Sequence, residues 1–498
     1  MLTNSKRGTA AITSLSVPLP PPPPAPLYVD MDGTLLATDV LWEMLILLLK
    51  SKPALLLRLP FWLLKGKAFL KRQLASHIAL NPALLPYRET VVTYLSCEHQ
   101  KGRNLILATA SDQEVADRVA RHLGLFSAVL ASDGTTNLAG RTKLSAIVRH
   151  ADSGVFDYIG NSSTDLPIWQ QASHAILVQP SRRLLNEVGK TSRIEAVLCP
   201  QQPSLTVFLR MLRVHQWSKN VLLLVPLLLA HKFDDPKRIL AGVLAFVAFS
   251  LAASAVYIVN DLLDLESDRA HPHKGSRPLA AGLVPIPLAL AIAVLAAASG
   301  FGIAGALLPK LFVGMLLLYQ GTTMAYSLGL KRVAILDVVV LAGLYTIRVL
   351  AGSVAVNVPD SPWFLAFSMF LFLSLAFVKR YAELRLAEGN GGSNGFLAAR
   401  GYLPGDLDLL RSVGAASGYV AVLVFALYIN SPEVHTLYHR PVALWLIGPL
   451  LLYWVTRVWF LAHRGRMHGD PVVFALSDLP SYFLAGCIGV ILLLALLR

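Results

Sequence analysis

Cysteine is scarce in this chain, with three in 498 residues. Cys97, Cys199 and Cys487 stand far apart and lack metal-ligand spacing, which excludes a disulfide framework and a zinc site. Charge is sparse too, at 15% of residues, and acidic side chains are outnumbered 30 to 44 by Lys and Arg. The net charge of +14 lies largely beside apolar runs, not in a polar patch interleaved with exposed aromatics. That argues against nucleic acid and for anionic lipid headgroups and phosphorylated small molecules. The N-terminal stretch follows Lys6 and Arg7 with Ser, Thr and Pro, where a signal peptide would carry an apolar core. Pro18, Pro20 to Pro24 and Pro26 mark residues 1–26 as a stiff, extended, disordered tail.

What the chain has in abundance is apolar sequence, 55% of residues, with a mean hydropathy of +0.56, too high for an ordinary soluble enzyme. The apolar residues concentrate after residue 204. Long stretches near 205–231, 239–260, 284–306, 309–330, 333–356, 362–388, 408–430, 441–463 and 472–497 predict an all-α polytopic bundle of about nine transmembrane helices, each near the ~20 residues a bilayer requires. The first begins with Arg210, Arg213, His215 and Lys219 and reads as partly interfacial. Before residue 200, strand-like and helix-like segments alternate over a length suited to one α/β domain. Lys and Arg favour the loops that share a side with this domain, among them Arg269, Lys274, Arg277, Lys331, Arg332, Lys379 and Arg380. The positive-inside rule then puts that domain and those loops in the cytoplasm.

Where the second apolar stretch runs out, the chain reads Asn260-Asp261-Leu-Leu-Asp264-Leu-Glu-Ser-Asp268. In a helix, Asp261, Asp264 and Asp268 share one face with Asn260 beside Asp264. Carboxylates at such a depth are costly and tend to line a polar cavity, and this face suits Mg²⁺ against a diphosphate. The same side carries Tyr326 through Lys331 with Asp337, Lys379-Arg380-Tyr381 with Glu383, and the Gly-rich stretch from Gly389 to Gly405, read either as a lid or as a linker.

Residues 204–498 resemble the UbiA-type intramembrane prenyltransferase superfamily, a nine-helix fold whose first motif, NDxxDxxxD, is met in full. The superfamily's second motif, another DxxxD pair, is not met, because Val333 and Leu341 flank Asp337 at the expected spacing. That departure, together with Gln216 to Asn220, Asp268 to Pro278 and Lys379 to Glu383, is similar to the decaprenyl-phosphate phosphoribosyltransferase branch. The resemblance implies a phosphoribosyl diphosphate donor, a polyprenyl phosphate acceptor, and Mg²⁺ on Asp261, Asp264 and Asp268. Lys219, Lys274, Arg277, Lys331, Arg348 and Lys379 become candidates for phosphate contacts, Asn260 and Tyr326 line the substrate site, and Asp337 orients these groups or the metal. The alternative is aromatic prenyl transfer from a polyprenyl diphosphate bound at the same carboxylates, with a regulatory or degenerate soluble domain.

In the soluble half, Leu27-Tyr-Val-Asp30-Met-Asp32-Gly33-Thr34 reads as a strand ending in two carboxylates and a tight turn, an arrangement that suits a nucleophile and an acid/base partner around Mg²⁺. Residues 27–199 resemble a haloacid-dehalogenase (HAD)-type phosphatase, a Rossmann-like fold. The resemblance implies Asp30 as nucleophile, Asp32 as general acid/base, and Thr109 and Lys143 as phosphate contacts. Asn161 and Asp165 would serve as metal ligands, Asn161 standing where the family has Asp and lowering the charge on Mg²⁺. An insert at about 38–100 is read as a helical cap. From Met44 to Arg88 it carries eight Lys or Arg and no acidic residue, and with Phe61 and Trp62 among its leucines it suits an anionic membrane surface. Joined, the halves suggest that the membrane domain makes a phosphoribosyl lipid and the phosphatase removes its ribose 5-phosphate.

Overall fold

The computed structural model describes residues 24–151, 154–199, 203–232, 234–271, 274–359, 361–389, 401–467, 470–475 and 477–497. Most of the Pro-rich tail and most of the Gly389–Gly405 stretch lie outside the described residues. The chain divides into two compact units, Met1–Gln202 and Pro203–Arg498.

The first unit is built on a six-stranded parallel sheet in the order β3-β2-β1-β4-β5-β6, comprising β1 (Leu27–Val29), β2 (Leu105–Asp112), β3 (Ala128–Ser132), β4 (Asp157–Gly160), β5 (Ala175–Val178) and β6 (Ile194–Leu198). The inner strands are short apolar runs because both faces are covered. Leu27, Val29, Leu105, Leu107 and Ile159 pack into one core, and Tyr28, Ile106, Tyr158, Ala175 and Leu177 into another on the opposite face. The strand order reverses at β1, so the carboxyl ends of β1, β2 and β4 open onto one crevice, the place where doubly wound sheets bind ligands. Between β1 and β2 lie α1 (Val40–Ser51), α2 (Leu59–Leu64), α3 (Lys67–His77) and α4 (Glu89–Gln100). After β2 come α5 (Gln113–Leu123), α6 (Arg141–His150) and α7 (Arg182–Thr191).

The second unit is helical. Among the described residues, eight helices are long and apolar enough to cross a membrane: α8 (Pro236–Leu263), α9 (Ile286–Leu307), α10 (Lys310–Leu328), α11 (Leu336–Val356), α12 (Pro362–Gly389), α13 (Leu407–Ile429), α14 (Ile447–His463) and α15 (Leu479–Leu496). The first expected crossing is not one continuous helix. It breaks into Leu205–Met211, an eleven-residue 3₁₀ stretch Val214–Leu224, and Val225–Leu229, because polar Arg213, His215, Gln216 and Lys219 open it and Pro226 interrupts its hydrogen bonding. It nonetheless runs antiparallel to α8 along that helix. Arg213 meets Asp261, the Trp217 indole donates to Ser254 Oγ at 3.0 Å, and Asn220 donates to Ser250 Oγ at 2.9 Å. A ninth, interrupted passage results, of the kind that lines polar cavities in membrane proteins. Gly352 permits it, since a Cβ there would stand 2.2 Å from the Leu223 carbonyl oxygen.

Candidate active sites

In the soluble unit the sheet brings the expected residues together. Asp30 leaves β1 into a turn in which Gly33 takes φ +76°, and a Cβ on Gly33 would lie 2.2 Å from the Asn161 amide nitrogen. The turn therefore requires glycine both for its conformation and for the approach of the β4 loop. Lys143, at the start of α6, donates to Asp30 Oδ1 at 2.7 Å and lies 3.7 Å from Asp165. Thr34 donates to the other Asp30 oxygen at 3.0 Å. Asp32 accepts from the Val40 N–H at 2.8 Å and from Ser111 Oγ at 2.6 Å, with Thr109 Oγ1 farther off at 3.5 Å. Sequence reasoning missed Tyr158, whose hydroxyl accepts from Lys143 at 3.0 Å and donates to Asp165 at 2.9 Å. It read as an ordinary strand residue.

Burial pushes both Asp30 and Asp32 up to about 6, against the pull of Lys143 on the first and of the Ser111 hydroxyl on the second. Burial works to lower Lys143, but Asp30 and Asp165 outweigh it and hold the ammonium above the ordinary lysine value. Asp30 and Asp165 thus flank one buried cation, Lys143, with the charge of Asp32 nearby, and this surplus of negative charge fits a divalent ion.

The cap carries a surface of different character. In the stretch Pro53–Arg58 and α2, Leu57, Phe61, Leu63 and Leu64 are exposed, rimmed by exposed Lys50, Lys52, Arg58, Lys65 and Lys67. Trp62 turns inward with Leu55, Leu56 and Leu59 onto the core, packing against the His77 ring at a centroid distance of 5.5 Å.

In the membrane unit, α8 ends at Leu263 and a short helix Leu265–Arg269 follows, with Asp264 between them. The helical hydrogen bonds continue through the break, from Asp264 N–H to Asn260 O at 3.0 Å and from Asp268 N–H to Asp264 O at 2.8 Å. The three carboxylates are nevertheless not equivalent. Arg277 bridges Asp261 and Asp268 at 3.2 and 2.6 Å, and Arg213 pairs with Asp261. Asp264 turns toward Lys331 at 3.5 Å. Lys274 lies in the turn that delivers Arg277, whose N–H donates to the Lys274 carbonyl at 3.0 Å. Asn260 Oδ1 is buried without a hydrogen-bond partner. An orphaned amide oxygen, next in sequence to Asp261 and one helical turn before Asp264, is a donor of the kind that suits Mg²⁺. Arg213, which sequence reasoning left among the interfacial cations, takes a left-handed φ of 52° to reach Asp261.

A second cluster gathers the other cations. Lys219 and Lys379 approach Asp470 at 2.7 and 3.4 Å. Arg348 donates to Asn220, to the Leu344 carbonyl and to the Tyr319 hydroxyl, and its guanidinium faces the Tyr319 and Tyr345 rings. Asp470 was not foreseen. An aspartate just before the last apolar run reads as a helix cap, and it does accept from the Val472 N–H at 3.0 Å.

Asp337 and Tyr326 belong to neither cluster. Asp337 is fully buried and gives one oxygen to Arg380 and the other to the Tyr402 hydroxyl, while Arg380 also reaches Tyr326 and Glu383. Both carboxylate oxygens are therefore engaged within a buried ion pair. Replacing Asp337 with alanine leaves Arg380 with Glu383 as its counter-charge and the Tyr402 hydroxyl without its acceptor, and we expect a loss of about 1–3 kcal/mol, measured as a lowered unfolding midpoint of the full chain in detergent.

Comparison with known proteins agrees with this division. Residues 221–483 match the model of the UbiA prenyltransferase family, and residues 27–170 that of the haloacid dehalogenase-like hydrolases. An uncharacterized protein of Sinorhizobium fredii, y4nM, is 39% identical over 466 residues, covering 93% of this chain and 89% of that protein. The nodulation protein NoeC of Azorhizobium caulinodans is 32% identical across 53% of this chain and 85% of its own length. The decaprenyl-phosphate phosphoribosyltransferase of Mycobacterium tuberculosis is 42% identical over 186 residues, 36% of this chain and 61% of that enzyme. The protein is thus an integral membrane member of the UbiA prenyltransferase family that carries an N-terminal haloacid dehalogenase-like domain.

Proposed function

We propose that the membrane unit transfers phosphoribose from phosphoribosyl diphosphate to a polyprenyl phosphate at the cytoplasmic face of a bacterial membrane. The soluble unit then hydrolyses the 5-phosphate of the transferred ribose, leaving ribose on the lipid phosphate. The observation that carries this reading is the pairing of one acidic cluster with one cationic cluster. A prenyl diphosphate donor calls for carboxylates on both sides of its diphosphate. Here Asp337, the aspartate at the second motif, is committed to Arg380 and Tyr402, and the second cluster sets the cations Lys219, Arg348 and Lys379 about the lone carboxylate of Asp470, which both lysines already engage. These suit a second phosphate-bearing substrate. The similarity to the mycobacterial phosphoribosyltransferase supports the same choice.

In this reaction the lipid phosphate oxygen bonds to ribose C1 as the C1–O bond to diphosphate breaks, and the electron pair leaves with the diphosphate. Mg²⁺ held by Asn260, Asp261, Asp264 and Asp268 would supply charge neutralisation for that leaving group, and Mg²⁺ held by Asp30, Asp32, Asn161 and Asp165 would do the same for a phosphate monoester in the soluble unit. Arg213 and Arg277, paired with the carboxylates now, are within reach of oxygens bound there, and Lys331 flanks Asp264. Catalysis rests on positioning and charge, without a protein nucleophile in the membrane unit. In the soluble unit Asp30 would attack phosphorus as the bond to the sugar oxygen breaks, with Asp32 protonating the leaving hydroxyl and Lys143 holding the phosphate charge; Asp32 would then take a proton from the water that hydrolyses the aspartyl phosphate, releasing phosphate and restoring Asp30.

The test is incubation of membranes containing the protein with labelled phosphoribosyl diphosphate and a polyprenyl phosphate. Label in the lipid fraction is the expected result. Incorporation only from a prenyl diphosphate into an aromatic acceptor would replace this reading with its rival. The exposed apolar tip of the cap, ringed by lysines, fits contact with an anionic membrane surface, where a lipid-bound phosphate ester resides. Changing Phe61 and Leu64 to serine is expected to slow hydrolysis of a lipid-bound ester by roughly tenfold, about what loss of one partly buried apolar side chain costs, and to leave hydrolysis of soluble ribose 5-phosphate unchanged.

A further inference from the structure

The cluster around Asp470 has more positive charge than its own groups compensate. Lys219 and Lys379 share one oxygen of Asp470, and the Tyr345 hydroxyl donates to both oxygens at 2.9 and 3.0 Å. Arg348, only 4% exposed, pairs with no carboxylate among the described residues; its donors go to an amide, a carbonyl and a hydroxyl. Two ammonium groups therefore meet a single carboxylate, and Arg348 stands against the ring of the same Tyr345, an excess of two positive charges; apolar Leu341, Leu375, Ala376 and Val472 line the recess that Tyr345, Lys379 and Asp470 share. In such surroundings uncompensated charge is costly, and an anion is the group that removes the cost.

The charge excess limits what that anion can be. A phosphate monoester carries about −1.5 to −2 near neutral pH and has several acceptor oxygens for two ammonium groups and a phenol. A phosphodiester headgroup, with a single negative charge, gains nothing by replacing a carboxylate that already carries one. We propose that Lys219, Lys379 and Tyr345 form a phosphate-monoester subsite distinct from the Asp261–Asp268 end. Asp470 is its resident counter-ion, displaced by a dianionic phosphate and not by the diester lipids of the surrounding bilayer. Asp470 then acts as a selectivity element, since an incoming group must outcompete a carboxylate for both lysines. The subsite sits on the interrupted crossing, whose 3₁₀ stretch carries Lys219 and Asn220, the type of segment through which membrane proteins present polar groups to a ligand. Which phosphate arrives, that of the acceptor lipid or the 5-phosphate of the sugar donor, rests on the transfer reaction proposed above; the charge argument does not.

The experiment measures equilibrium binding of labelled farnesyl phosphate, and separately of labelled ribose 5-phosphate, to the full chain in nanodiscs, without turnover. Wild type is compared with Asp470→Asn, Lys219→Gln and Lys379→Gln. Asp470→Asn is expected to tighten one of the two ligands by about tenfold, and either lysine change to weaken that same ligand by at least as much. Binding at the soluble unit is common to all four proteins and cancels in the comparison. The ligand that responds identifies the source of the phosphate. Equal affinities across all four proteins would overturn the subsite, as would an Asp470→Asn protein with weakened binding and a lowered unfolding midpoint that phosphate does not restore. Because nothing turns over, failure of label transfer with these shifts intact refutes the transferase reaction alone, and the converse refutes the subsite alone.

Discussion

Asp261→Asn is expected to lower the rate of label transfer to lipid by about 10²–10³-fold, the usual effect of removing one preorganised charge-stabilising group from an active site. Asp261 occupies the junction of the site. It is buried, it pairs with Arg213 from the interrupted crossing, and it shares Arg277 with Asp268. The asparagine keeps size and hydrogen-bonding capacity but removes the charge that opposes two guanidinium groups, so the effect separates ligation of a cation from packing. Asp264→Asn is expected to do less, because Asp264 is the most exposed of the three carboxylates and its ion pair with Lys331 is long, at 3.5 Å. Rates at increasing Mg²⁺ check the assignment. A weakened cation site needs more Mg²⁺ for half-maximal rate, whereas a purely structural defect lowers the rate at every concentration. An Asp261→Asn protein with unaltered rate and Mg²⁺ dependence would remove the first motif from the mechanism.

What was legible in the sequence was whatever is contiguous in it. The run from Asn260 to Asp268 and the turn from Asp30 to Thr34 each put several candidate groups within nine residues of chain, which keeps them near one another, although Asp264, at the break after α8, turns to Lys331 while Asp261 and Asp268 share Arg277. Alternation before residue 200 and apolar length after 204 likewise announced a parallel sheet followed by a membrane bundle, both of which the fold contains. What stayed hidden depends on contacts across long separations. Asp470 is 251 residues from Lys219, and nothing near it in the chain distinguishes it from a helix cap. Asp337 drew attention as a lone carboxylate in an apolar stretch, but its partner Arg380 lies 43 residues on, and only the packing of α11 against α12 shows that its oxygens are engaged. The first crossing was legible as an apolar run of spanning length. That it would break was signalled by its polar opening and Pro226, but the 3₁₀ conformation follows from its tertiary contacts with α8 and Gly352, which periodicity does not reveal.

Asp30→Asn should abolish phosphate release from ribose 5-phosphate, with a loss on the order of 10⁴-fold or more, because Asp30 is the proposed nucleophile and not merely a stabilising contact. It should leave label transfer to lipid intact, so the two activities can be assigned to the two units by one substitution in each. The prediction has force because Asp30 is buried, anchored by Thr34, and held 2.7 Å from Lys143, so an asparagine is accommodated with little movement. Charge gives an independent check. With Asp30 and Asp32 both raised to about 6 by burial, the metal-free fold binds protons more readily than the unfolded chain. The stability this contributes is full below the ordinary aspartate range and is lost as pH rises through about 6. Mg²⁺ favours the ionised carboxylates, so the rise in unfolding midpoint on adding it should be small at pH 5 and larger at pH 7.5. Asp30→Asn should blunt that rise, whereas Asn161→Asp should enlarge it by restoring a negative charge beside the Gly33 turn. A phosphatase rate unaffected by Asp30→Asn would show that this crevice, despite its geometry, is not where hydrolysis occurs.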